Sequence, residues 1–87
     1  MKTNCQMLKS LLGKFDPKEF GIVSAEEANL VETELCLKDM DILALRNLRD
    51  TTVLLISREP YNRKLWDKMS AITYMIDAQI VKLGGEV

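Results

Sequence analysis

An 87-residue chain with 12 basic and 13 acidic side chains, 47% apolar residues and no histidine reads as one small folded domain rather than a disordered tail. A net charge of −1 excludes a general attraction to nucleic acid or membrane, and no apolar run approaches the ~20 residues that span a bilayer. Only 6% of the chain is aromatic, so the core must be built from Leu, Ile, Val, Met and Ala, which favours helices. The expectation is a single helical domain over residues 1–87.

The first helix begins at Thr3 or Asn4, either of which can cap free amides. Met7, Leu8, Leu11, Leu12 and Phe15 then recur at helical spacing, with Lys9 and Lys14 off the stripe. "MLKSLLGKF" is short and carries two lysines, so it reads as a core helix rather than a membrane-surface one. Pro17 stops it, and "DPKE" reads as one capped turn with Asp16 as cap and Glu19 reaching back. "SAEE" opens the second helix: Ser24 and Glu27 form a capping box, Val23 staples the entry, and Ala28, Val31 and Leu35 make the apolar row.

Residues 25–57 contain no Gly or Pro and read either as one bent helix or as two. A break near 38–41 is favoured, because Asp39 or Asp41 can cap a fresh helix. That third segment carries Ile42, Leu45, Leu48, Leu55 and Ile56 on a broad face. "TTVLLIS" is rich in β-branched residues but continues the helical period, so it is assigned to the helix. Pro60 ends it. A long last helix runs from about 60 to 83, where "GG" supplies a left-handed cap. The fold class is all-α, a small bundle of three to four helices.

Chemistry is sparse in this chain. Without histidine the usual general base and the usual metal ligand are missing, and Gly13, Gly21, Gly84 and Gly85 form no phosphate loop. Carboxylate pairs such as Glu27 with Glu34, or Asp39 with Asp41, read as solvated helix faces. No catalytic residue, metal or cofactor is expected, and no enzyme. Cys5 and Cys36 show no paired spacing and read as buried thiols in a reducing compartment. No long apolar stretch with a small-residue cleavage site follows Lys2, so no signal peptide is expected and the expected location is cytoplasmic.

Charge is unevenly spread. Residues 21–41 hold one Lys against six acids, and residues 42–68 hold six basic residues against three acids. Within the basic stretch, "SREPYNRKLWDK" gathers Arg58, Tyr61, Arg63, Lys64 and Trp66 around the start of a helix. Cations there oppose the positive end of the helix dipole, and a locally unfavourable choice points to a contact. The functional reading is recognition of a protein partner, with aromatic anchors beside charge; a phosphate backbone is the alternative. The bland reading pairs Arg63 with Asp67 and Arg58 with Glu59, or turns the segment towards the acidic second helix. A helix-turn-helix over 25–50 is disfavoured, since Asp39 and Asp41 would meet phosphates and the turn has no Gly.

The last helix is apolar on two sides. Leu65, Met69, Ile72, Ile76, Ile80 and Leu83 fall in an arc about 80° wide, the expected core stripe. Ala71, Tyr74, Ala78 and Val81 fall about 160° to 240° from Leu65, at the spacing of a helix seam. Either this helix lies at the centre of the bundle or the second stripe meets another chain; the second is preferred, with Ser70 and Asp77 as its polar rim. The sequence therefore reads as a small non-enzymatic protein-binding regulator or inhibitor, expected as a homodimer, with nucleic-acid binding through residues 58–68 as the alternative.

Overall fold

The structure, a computed structural model, describes residues 3–18 and 22–86. Over these residues it is all-α, with helices α1 (Asn4–Leu12), α2 (Ala25–Leu35), α3 (Ile42–Arg58) and α4 (Arg63–Lys82), and a 3-10 turn at Leu37–Asp39. Among the described residues, no helix is long and apolar enough to cross a membrane.

Local chemistry sets most of the ends. Thr3 accepts from the Gln6 amide while the Gln6 side chain accepts from the Thr3 amide, a capping box that starts α1. Ser24 and Glu27 do the same for α2 as the sequence predicts. The break between α2 and α3 falls where Cys36 turns left-handed (φ 53°, ψ 44°), followed by the 3-10 turn. Asp41, rather than Asp39, is the cap: its Oδ1 accepts from the Ala44 amide at 2.8 Å. Residues 25–57 are thus two helices, and "TTVLLIS" lies inside α3. The capped turn expected at 16–19 includes Glu19, which lies outside the described residues.

The last helix starts at Arg63, later than the expected 60. Pro60 occupies a turn closed by the Asn62 amide donating to the Glu59 carbonyl at 3.1 Å. Asn62 then caps α4 by accepting from the Leu65 amide at 3.0 Å. At the other end Gly84 is left-handed (φ 89°). Its amide donates to the Val81 carbonyl and that of Gly85 to the Ile80 carbonyl, the paired bonds of a Schellman stop.

The core is a single cluster drawn from every helix, with Leu8 and Leu11 of α1, Val31 and Leu35 of α2, Leu45, Leu48 and Leu55 of α3, and Met69, Ile72, Ile76 and Ile80 of α4. Each such side chain contributes about 1.5–3 kcal/mol when fully buried. Phe15, just past α1, is completely enclosed. Leu83, expected in the core stripe, is instead 46% exposed because it lies at the C-cap, where the chain has left the helix.

Helices α3 and α4 form an antiparallel hairpin whose register is marked by polar contacts. The Thr52 hydroxyl, completely buried, lies 2.9 Å from that of Thr73, and Arg49 Nε lies 2.8 Å from Asp77 Oδ1. Those two atoms are shielded from solvent and meet as an ion pair without a hydrogen-bond angle. Asp77, expected on the rim of the outer stripe, is therefore turned towards α3. On another flank, Lys68 of α4 donates to the Leu12 carbonyl at 2.8 Å and so caps the C-terminal end of α1. Helix α4, about 30 Å long, is nearly as long as the molecule's longest dimension of 33 Å.

Both cysteines depart from expectation. Cys36 is exposed and Cys5 half-buried, and neither is in a disulfide. Cys36 ends α2 as a left-handed residue outside the helical stripe, which is why its side chain escapes the core.

Candidate functional site

Of the second stripe on α4, the structure separates one residue from three. Ala71 is buried in the chain's own core, 1% exposed, whereas Ala78 is exposed, Tyr74 is 65% exposed and Val81 55% exposed. The reason is tertiary. The helix is flanked by α3 along the Thr73–Asp77 side and by the end of α1 near Lys68, and Ala71 stands three residues from Lys68 whereas Ala78 stands ten residues from it. The intrachain bundle covers part of the stripe, and the outer arc faces solvent.

The outer arc does not stand alone. Val53 and Leu54 of α3 are 53% and 50% exposed. Thr52 is level with Thr73 through their hydroxyl contact, so Val53 and Leu54 lie within about 5 Å of the level of Tyr74 along the helix axes. Sequence reading assigned the apolar residues of α3 to its core face and missed these two. The signal was their position at the margin of the stripe, beside Asp50 and Ser57.

The basic–aromatic segment lies at the turn end of the same hairpin. Pro60, Tyr61, Arg63, Trp66 and Asp67 line an open cleft of about 540 Å³. Tyr61 is 99% exposed and Trp66 44% exposed. Arg63 approaches Asp67 at 3.6 Å, one turn on, with a side chain 89% exposed, so that pair is a weak surface contact. Among the described residues, Arg58 and Lys64 take part in no ion pair, with Glu59 or otherwise. Among the described residues none of its cations pairs with the acidic helix, where Glu34 pairs with Lys14 at 2.8 Å and Glu32 with Lys38 at 3.6 Å. Arg58, Tyr61, Arg63, Lys64 and Trp66 are thus gathered at one end of the hairpin with their charge largely uncompensated.

A second open cleft, of about 650 Å³, lies at the opposite end, lined by residues including Lys38, Asp39, Asp41, Leu43 and Leu83. Leu43 is 69% exposed there. Among the described residues, no group of three or more His, Cys, Asp or Glu could hold a metal ion. The arrangement offers large apolar area, aromatic anchors and cations, which suits binding.

Comparison with protein-family models, with curated proteins and with solved structures finds no match.

Proposed function

We propose that this protein is a small non-enzymatic regulator or inhibitor that acts by binding another protein through the outer face of the α3–α4 hairpin, and that it self-associates as a homodimer in the cytoplasm. The observation that carries the reading is the turn end of the hairpin. Tyr61 and Trp66 expose aromatic surface there beside Arg58 and Lys64, which among the described residues take part in no ion pair. Aromatic residues and arginine are the side chains that dominate binding energy when a partner buries them. The surrounding chain supplies a rigid platform, since both helices are anchored into one core.

The test is affinity capture from the source organism with the wild type and with an Arg58→Glu/Tyr61→Ala variant, followed by titration of purified candidates. A purified protein that binds the wild type and loses affinity at least about tenfold for the variant supports the reading, because two anchors of about 1 kcal/mol or more are removed. Binding of DNA or RNA with a steep fall in affinity as salt rises would replace it with the nucleic-acid reading.

A further inference from the structure

The charges at the turn end of the α3–α4 hairpin differ in how they are engaged. Arg58, Glu59, Arg63, Lys64 and Asp67 follow one another closely there. Both acids have partners within the chain: Glu59 Oε1 accepts from the Asn62 side-chain amide at 3.4 Å, and Asp67 Oδ1 meets Arg63 Nε at 3.6 Å. Arg58 and Lys64 are exposed, and among the described residues they take part in no ion pair. The start of α4 adds the partial positive charge of its dipole beside them. The unengaged charge of this end is therefore cationic, although the whole chain carries a net charge of −1.

The same end holds the aromatic surface. Pro60, Tyr61 and Trp66, with Arg63 and Asp67, line the open cleft of about 540 Å³, a volume inside the range of about 300–1,000 Å³ that seats ligands. Tyr61 is 99% exposed, so its ring is buried only by something that binds. Resting on the reading of this end as a protein-contact surface, we propose that the partner presents an acidic segment carrying apolar side chains. Its carboxylates meet Arg58 and Lys64, and one of its apolar side chains enters the cleft beside Pro60, Tyr61 and Trp66.

Charge complementarity selects this occupant over others. A basic segment would meet two cations without ion-pair partners and the positive end of a helix. A nucleic-acid strand carries charge evenly along its length. Beyond this end it would run against a chain that is net negative and holds six acids in residues 21–41. A peptide can confine its carboxylates to the width of the cationic end. The contacts are exposed and screened by salt, so an isolated segment should bind with a dissociation constant of roughly 0.1 mM.

Trp66 is the chain's single tryptophan and lines the cleft at 44% exposure, so its emission reports whether the cleft is filled. The full chain is titrated with a short capped peptide alternating Asp or Glu with Leu and Phe. The controls are the same peptide with Lys at every acidic position and a single-stranded oligonucleotide of equal length. The acidic peptide should move Trp66 emission to the blue along a saturable curve and bind about tenfold or more tightly than the lysine peptide. Its affinity should fall as salt rises. Arg58→Glu/Lys64→Glu, with folding verified by circular dichroism, should weaken it about tenfold or more, since two attractions become repulsions. Tyr61→Ala should weaken it with the salt dependence kept. An acidic peptide that binds no better than its lysine counterpart, or binds the charge-reversed variant equally well, overturns the inference. So does an oligonucleotide that binds more tightly at the same salt. The contact reading survives that failure if a captured protein still loses affinity for the Arg58→Glu/Tyr61→Ala variant, and the acidic chemistry alone then falls.

Discussion

The contact between Thr52 and Thr73 makes a sharp test of how the α3–α4 hairpin is held. Three short distances converge on two hydroxyls: Thr52 Oγ1 lies 2.6 Å from the Arg49 carbonyl, Thr73 Oγ1 lies 2.8 Å from the Met69 carbonyl, and the two hydroxyl oxygens are 2.9 Å apart. Two hydroxyl protons cannot serve three contacts. If both went to carbonyls, two oxygens would face each other in a buried site with no proton between them. Each carbonyl already accepts an amide from its own helix, so one hydroxyl proton is free to bridge α3 and α4. Valine matches threonine in shape, so Thr52→Val and Thr73→Val each remove that bridge without opening a cavity. Each single variant should cost about 1 kcal/mol, and for a domain of this size that lowers Tm by about 4–8 °C. The double variant should cost no more than either single one, because the same bond is lost only once. Urea denaturation of the four proteins gives the double-mutant cycle, with an expected coupling of about 0.5–1.5 kcal/mol. Additive losses, or single variants more stable than wild type, would show that no proton lies between the helices and would refute the argument.

Replacing Ala78 with Glu should leave far-UV circular dichroism and Tm nearly unchanged, because the residue is exposed within the protomer, and, if the proposed homodimer forms through this stripe, should weaken it by setting like charges in the seam; light scattering reads the second effect. Reversing Arg63 and Lys64 to Glu should change stability by no more than about 0.5 kcal/mol, the Arg63–Asp67 contact being weak and exposed, while lowering affinity for the proposed protein partner in binding titrations. Lys68→Met keeps much of the aliphatic stem but removes the donor to the Leu12 carbonyl; a loss of about 1–2 kcal/mol in urea melts is expected. Gly84→Ala places a side chain at φ 89° and should cost about 1 kcal/mol by the same measurement, through backbone strain alone, as the site is open.

Much of the secondary structure was legible along the chain because its determinants are local. The Ser24–Glu27 box, the stop at Pro60 and the left-handed glycine after α4 each act over a few residues, so the residue types that perform them reveal where helices start and end. Periodicity likewise identified Met69, Ile72, Ile76 and Ile80 as core, since a helix faced with them must bury that side. The break at 36–41 was legible only in part: Asp41 signalled a cap, but nothing local marked Cys36 as the left-handed residue that ends α2. Which side of each helix meets which neighbour was decided by the tertiary fold. Ala71 and Ala78 share one stripe by spacing, yet only the first is enclosed, because they stand about 10 Å apart along α4 and the bundle covers that stripe at one level and not at the other. For the same reason Asp77 pairs with Arg49, 28 positions away, and Val53 and Leu54 join the outer face rather than the core. Sequence spacing fixes the angle of a side chain around its own helix, but exposure also depends on the angles at which other helices arrive, and those follow from packing the whole core at once.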